Sequence, residues 1–271
     1  YRPFAAITQA ALPLSTQMAG VNKGNAAWVI AANGLYTVVP GTPLAYFDVA
    51  EYAAAFDEVW VCPSGDCGHP GAGFNTIQGG INIVVSGGTV HVAAGTYAEN
   101  VDVTKPVTLL GPNAGTPGNG TRVAEAVIQG TTANWFSLYV KPDVPGVTID
   151  GFKFDGANLI HNPEEYAVGV EGDSSNLTVQ NNVFVNHNDV AILTSGVYSN
   201  DGGQSWEYDK WLTDILIKDN LITNPTPSIS GYNFGIYFQS SLGTVSGNVV
   251  TNMRNGIQVQ PYWNTPGGGV I

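Results

Sequence analysis

An eight-residue pattern that occurs three times constrains the fold of this chain more than any other feature of its sequence. The pattern reads apolar-x-x-Asn-apolar-apolar-x-Asn and occupies residues 179–186, 217–224 and 245–252, and residues 149–156 form a degenerate fourth copy. After each copy, a variable connection leads to another short run in which apolar residues alternate. Short strands that recur with tight corners predict a solenoid of stacked coils, because each unit buries its apolar face only against its neighbours.

The two asparagines of each repeat mark the corners of the predicted coils. Asn tolerates the left-handed backbone region better than other residues with a side chain, so we expect it where the chain turns. Successive coils lie about 4.8 Å apart, and at this spacing stacked amides hydrogen-bond to one another as a ladder. We therefore interpret six asparagines as structural: Asn182, Asn186, Asn220, Asn224, Asn248 and Asn252.

A run of short motifs stands upstream of the repeats. It contains Phe-Asn-Thr-Ile-Gln at 74–78, Gly-Gly-Thr-Val-His-Val at 87–92, Ala-Gly-Thr-Tyr at 94–97, Glu-Asn-Val at 99–101 and Lys-Pro-Val-Thr-Leu-Leu-Gly at 105–111. Through these motifs and the repeats, residues 74–260 resemble the pectin-lyase-like β-helices. The resemblance implies an all-β fold, a single-stranded right-handed parallel β-helix whose first rung is capped by a short amphipathic helix. Gly79 and Gly80 are poor helix formers, so we expect this cap to be short or distorted.

The first 60 residues differ from the rest of the chain. They are rich in Ala, carry few charges, and place Asn33-Gly34 between the β-prone runs 28–32 and 35–39. Asn-Gly between two such runs predicts a β-hairpin, since both turn positions need positive φ. We therefore divide the chain into an apolar N-terminal extension with a hairpin, residues 1–60, and a β-helix, residues 61–271.

The charge balance limits the partners of the chain. Its formal net charge is −12, with only nine Lys and Arg residues, and this charge repels nucleic acid and anionic membrane surfaces. No segment approaches the roughly 18 consecutive apolar residues of a membrane span, so we expect neither nucleic-acid binding nor membrane insertion. Scarce cations also disfavour polyuronate substrates, whose carboxylates need basic groups, whereas neutral sugars stay open.

The two cysteines stand close together, in the sequence Cys62-Pro-Ser-Gly-Asp-Cys67. A Pro-Gly turn between them brings their Cα atoms within disulfide reach, and a disulfide indicates an oxidising, extracellular or cell-surface location. The alternatives are two free thiols, or a zinc site to which only His69 lies near enough to contribute. We expect the disulfide, and no metal.

The resemblance implies three kinds of catalytic constellation. Lyases of this superfamily pair an Arg or Lys base with Asp ligands for calcium, esterases pair two Asp with an Arg, and hydrolases place three Asp near a His and an Arg-x-Lys. None is intact here. The closest group is Asp150, Lys153 and Asp155, whose alternation would place Lys153 between two exposed carboxylates as an acid/base pair or a calcium site. The alternative, which we favour, is a solvated strand face with a cross-strand ion pair and no cofactor.

A polar and aromatic insertion at residues 198–211 interrupts the repeat. Aromatic faces stack against the C–H faces of sugar rings, so aromatic residues here and near the end of the chain predict a glycan-binding platform. The alternative is that they form a small core within the loop. The candidates are Trp206, Tyr208, Trp211, Tyr262 and Trp263.

Two functions are compatible with these features. The first, which we favour, is a secreted non-catalytic structural protein: a cell-surface component, an adhesin or a filament subunit. Copies of it would assemble head to tail when an N-terminal segment such as residues 28–39 adds a strand to an open solenoid end. The second is a carbohydrate-active enzyme, a polysaccharide lyase, hydrolase or epimerase acting on extracellular polysaccharide.

Overall fold

The protein was examined as a computed structural model, in which almost every element is a β-strand. The described residues are 21–23, 26–31, 34–38, 45–47, 56–65, 67, 73–131, 136–158, 166–171, 174–187, 189–196, 211–225 and 233–260. Four strands form one antiparallel sheet, and the others form three parallel sheets of eight, six and six strands. The prediction of a parallel β-helix is therefore confirmed. Among the described residues, no helix is long and apolar enough to span a membrane.

The N-terminal sheet contains the predicted hairpin. Its strands are β1 (Val21–Lys23), β2 (Ala26–Ala31), β3 (Gly34–Val38) and β4 (Ala45–Phe47), in the order β1-β2-β3-β4. Ala31 pairs with Gly34, so residues 32 and 33 connect β2 to β3 and Gly34 belongs to a strand. Both edges of β2 and of β3 are occupied by neighbouring strands, which argues against residues 28–39 as a donated segment.

Each coil of the β-helix contributes one strand to each parallel sheet. Sheet 1 contains β5 (Glu58–Val61), β6 (Gly73–Phe74), β7 (Thr89–Val92), β10 (Val107–Leu110), β13 (Val147–Asp150), β16 (Leu177–Gln180), β19 (Leu212–Lys218) and β22 (Ser241–Ser246). Sheet 2 contains β8 (Gly95–Tyr97), β11 (Ala126–Ile128), β14 (Lys153–Asp155), β17 (Val183–Val185), β20 (Leu221–Thr223) and β23 (Val249–Thr251). Sheet 3 contains β9 (Val101–Val103), β12 (Phe136–Val140), β15 (Tyr166–Glu171), β18 (Val190–Ser195), β21 (Phe234–Gln239) and β24 (Asn255–Gln260). We number the coils 1 to 6, from β7–β9 to β22–β24.

The core consists of columns of apolar side chains that point inward from successive coils. In strands such as β7, β10 and β16, alternate residues are buried, as the strand period of two requires. In sheet 2, Phe154 and Phe184 are paired across β14 and β17, and their rings stack 4.9 Å apart. Ile222 continues this column in the next coil. Each coil therefore buries its side chains mainly against the coils before and after it.

One α-helix among the described residues, α1 (Ile77–Ile83), lies at the N-terminal end of the solenoid and has the short length predicted. The Thr76 hydroxyl accepts from the Gly79 N–H at 3.1 Å and caps the first turn. The Glu99 carboxylate accepts from the N–H groups of Ile77 and Gln78, at 2.7 and 3.1 Å. These contacts join the helix to coil 1.

Gly80 explains why this helix contains residues of low helix propensity. A Cβ atom at Gly80 would lie 2.7 Å from the Val61 side chain and 2.9 Å from that of Val90. Glycine therefore allows α1 to approach β5 and β7 closely, and this packing outweighs its poor propensity.

The corners between sheets 1 and 2 have a constant form, which differs from the predicted one. Each corner of coils 3 to 6 has two residues, and the first has positive φ: Gly151, Asn181, Asp219 and Gly247, at 83°, 56°, 53° and 65°. The ladder asparagines of this column follow as the second residue, and they do not adopt the left-handed region. In the other column, Asn186 and Asn252 do adopt it, at 62° and 58°.

Candidate functional site

Asp150 is a buried structural residue and not an exposed acid. Its side chain is 6% exposed, at the end of β13. The carboxylate accepts from the Gly115 N–H at 3.0 Å, from Asn181 Nδ2 at 2.8 Å and from Gln180 Nε2 at 2.9 Å. The prediction of an exposed carboxylate is wrong here, because a loop from coil 2 covers this corner of the solenoid.

Lys153 pairs with Asp155 instead. Both side chains point outward from β14, with the Lys153 Nζ 3.5 Å from the Asp155 Oδ2. Asp155 also accepts from Asn186 Nδ2 at 2.7 Å and from the Ala157 N–H at 3.1 Å. Burial alone would raise the pKa of Asp155, but these hydrogen bonds and the Lys153 charge outweigh burial and hold the pKa below its usual value. Asp155 is therefore a poor general acid.

The loop that covers the corner, residues 111–125, is named the strap. It connects β10 to β11 and lies along the corners between sheets 1 and 2. The Gly118 N–H donates to the Asp219 carbonyl at 2.8 Å. A Cβ atom at Gly118 would lie 2.4 Å from the Asn182 carbonyl oxygen and from the Leu221 nitrogen. Only glycine fits this contact, and the strap therefore reaches from coil 2 to coil 5.

Arg122 fastens the strap to the solenoid. Its guanidinium donates to the carbonyl of Asn181 at 2.7 Å, of Thr116 at 3.0 Å and of Phe152 at 3.3 Å. It also pairs with Glu125 at 2.6 Å, and its side chain is only 9% exposed. The Arg122 guanidinium thus binds main-chain oxygens and the Glu125 carboxylate, which leaves it no surface for a substrate.

The first asparagine column is a continuous amide ladder. Asn182 Nδ2 donates to Asn220 Oδ1 at 3.2 Å, and Asn220 Nδ2 donates to Asn248 Oδ1 at 2.9 Å. Each oxygen also accepts the backbone N–H of the preceding coil, and the Phe152 N–H bonds to Asn182 in the same way. The ladder therefore satisfies corner N–H groups in coils 3, 4 and 5.

The second column has no such ladder. Asn186 donates to Asp155, and Asn252 donates to the carbonyl of Asn224 at 2.8 Å. Asn224 accepts from the His187 N–H at 3.0 Å and donates to the His187 carbonyl at 2.7 Å. The side chains of this column therefore bond to a carboxylate, to main-chain groups and, from Asn224 Nδ2, to the Met253 sulfur at 3.3 Å, and not to one another.

The structure also contains a groove outside sheet 1, near the disulfide. Cys62 and Cys67 are bonded, with their Cα atoms 5.6 Å apart, which confirms the predicted disulfide. Trp60 and His91 point outward from paired positions of β5 and β7, and their rings stack 5.1 Å apart at 12°. Sequence reasoning missed this pair. The only feature of the sequence that could have indicated the pair is its position. Each residue is the third of a four-residue strand in which buried and outward-facing residues alternate in the same order.

Most of the predicted aromatic platform lies outside the described residues. Trp211 is half-buried immediately before β19, whereas Trp206, Tyr208, Tyr262 and Trp263 fall in ranges that are not described. Within the described ranges, no group of three or more His, Cys, Asp or Glu side chains is arranged to hold a metal ion. The groups closest to a catalytic set are thus Asp150 under the strap and the Lys153–Asp155 pair outside sheet 2.

Comparison of the chain with protein-family models, with curated proteins and with solved structures found no match.

Proposed function

We propose that this chain is a non-catalytic structural β-helix of an extracellular surface, built on the pectin-lyase-like plan. The observation that carries the proposal is that two charged side chains of the catalytic types, Asp150 and Arg122, make structural contacts within the protein. The Asp150 carboxylate and the Arg122 guanidinium, which are the residue types that cleave polysaccharides in this superfamily, bind main-chain and amide groups under the strap. The disulfide supports an oxidising location.

Coil 6, the last described coil, supports association with a second copy. Ile257 and Val259 continue the inward columns of Ile236 and Phe238, but they are 52% and 47% exposed, whereas Ile236 is fully buried. Exposed apolar residues on a strand favour the addition of another β-structure. The N-terminal sheet of a second copy is the occupant we propose, through its edge strands β1 and β4, because β2 and β3 already have two partners.

Negative-stain electron microscopy and light scattering of the purified chain test this function. We expect assembled particles, and we expect Val259→Lys to dissociate them because it places a charge in the contact. Val123→Lys is the matched control, since Val123 is 64% exposed on the strap, away from coil 6. A wild-type chain that stays monomeric at high concentration would contradict assembly.

A cleavage screen tests the other half of the proposal. We expect no new reducing ends or unsaturated products from polygalacturonate, alginate, xylan or cellulose. Cleavage that is lost in a folded Lys153→Ala variant would show instead that the chain is a carbohydrate-active enzyme.

A further inference from the structure

The groove outside sheet 1 has the size and shape of a ligand site. Its volume is about 550 Å³, within the range of small-molecule sites. It runs across β5, β7 and β10, which lie next to one another in the sheet. Three strands at about 4.8 Å spacing give it a length of roughly 10 Å along the solenoid axis. An elongated ligand therefore fits it better than a single compact ring.

Two rigid walls form the groove. One wall is an outward column of paired residues, Trp60, His91 and Leu110. The other wall contains the Cys62–Cys67 disulfide and the start of the strap at Pro112 and Ala114. The disulfide and the hydrogen-bonded strap hold this second wall in place, so the ligand meets a preformed surface and little ordering opposes binding.

The chemistry of the walls selects the class of ligand. Aromatic and aliphatic carbon dominates the lining, and none of the described residues that line the groove is a Lys or an Arg. Beside the groove, the Glu58 carboxylate lies 3.8 Å from His91 Nε2, and its side chain is 59% exposed, on a chain of net charge −12. An anionic ligand would be repelled here. The ligand must therefore be neutral, with apolar faces for the aromatic wall and hydroxyl groups for the open side of the groove.

A peptide fits these features less well than a sugar chain. Peptides that bind along a sheet pair with the main-chain groups of a free edge. In β7, those groups are paired with β5 on one side and β10 on the other. Linked sugar rings need no free edge, since their C–H faces pack on aromatic side chains and their hydroxyls bond at the rim.

We propose that this groove binds a neutral oligosaccharide and so attaches the β-helix to a glycan. The site goes beyond the structural role, which needs no ligand. Trp60 and His91 supply the aromatic wall, and the disulfide and Pro112 supply the opposite wall.

Calorimetry with the full chain and two neutral probes, cellohexaose and chitohexaose, tests the proposal. We expect wild type to bind at least one probe, and Trp60→Ala to weaken that binding at least tenfold. Ala114→Trp keeps every existing side chain contact of the wall but fills the groove, because Ala114 is exposed. It should abolish binding with unchanged thermal unfolding, so the test does not depend on how well Trp60→Ala folds.

Trp211→Ala is the matched control and should bind as wild type does, because Trp211 lies beside β19 and not in the groove. Three results would overturn the proposal: no binding of either probe to wild type, equal binding by Ala114→Trp, or tighter binding of hexagalacturonate than of the neutral probes. None of them bears on self-assembly, which is measured separately.

Discussion

The two asparagine columns come from the same repeat, yet they stabilise the solenoid in different ways. In the first, Asn182, Asn220 and Asn248 bond amide to amide across coils. In the second, the Asn224 side chain bonds to main-chain groups of His187 and to the Met253 sulfur. The corners explain the difference. The corners of the first column have two residues in every coil from 3 to 6. The corners of the second column differ in length from coil to coil, and they span 156–165, 186–189, 224–233 and 252–254. Constant corner length, more than the repeated Asn itself, produces a ladder.

The largest expected effect is the loss of the middle rung. In Asn220→Ala, the side-chain amide and the backbone N–H of Asn182 lose their shared acceptor. The Val179 carbonyl also loses the hydrogen bond from Asn220 Nδ2, and all three groups are buried. Each unsatisfied buried group costs about 1–3 kcal/mol, and local relaxation recovers part of this cost. We therefore expect the free energy of unfolding to fall by about 3 kcal/mol. Urea unfolding measures it. Asn248→Ala, at the half-buried end of the ladder, is the control and should cost about 1 kcal/mol; equal losses would show that the rungs are independent.

A smaller effect is expected in the second column. Asn224→Ala removes two hydrogen bonds to one neighbouring residue, His187, and should lower the free energy of unfolding by about 2 kcal/mol. A double-mutant cycle sharpens the comparison. Asn182→Ala and Asn220→Ala should couple by more than about 0.5 kcal/mol, whereas Asn186→Ala and Asn224→Ala should add within that value. Equal coupling in both columns would contradict the distinction between them.

The smallest effect depends on pH. Asn186→Gly keeps the positive φ but removes a donor to Asp155, and at neutral pH it should cost about 1 kcal/mol. Because the pKa of Asp155 is lowered by folding, its contribution is present above the unfolded pKa and is lost as pH falls through the folded pKa. The difference between variant and wild type should therefore shrink in acid.

Asn252→Gly is the matched control for this pH dependence. Asn252 has the same left-handed backbone, but it donates to the uncharged carbonyl of Asn224. The cost of that variant, measured by urea unfolding over the same pH series, should not change as Asp155 is protonated. Parallel pH profiles for the two variants would contradict the role of the carboxylate.

The repeat allowed the fold and the first ladder to be predicted, and the short separation of Cys62 and Cys67 allowed the disulfide to be predicted, because each follows from local spacing. The candidate catalytic group could not be placed correctly in this way. Alternation along 150–155 treats the segment as one strand, but Gly151 and Phe152 form a corner, so Asp150 belongs to sheet 1 and Lys153 to sheet 2. Long-range contacts were equally inaccessible. Arg122 reaches Asn181, 59 residues away, and no spacing rule connects them.

The strap changes how this molecule can come apart. In a simple solenoid each coil touches only its neighbours, so coils can be lost one at a time from an end. Here a segment of coil 2 is bonded to corners of coils 3, 4 and 5 through Asp150, Arg122 and Gly118. If coils unfold one after another from the C-terminal side, the strap therefore resists the loss of coil 5. A protein that carries mechanical load along its axis gains from such a brace, because the four coils it joins give way together and not in succession.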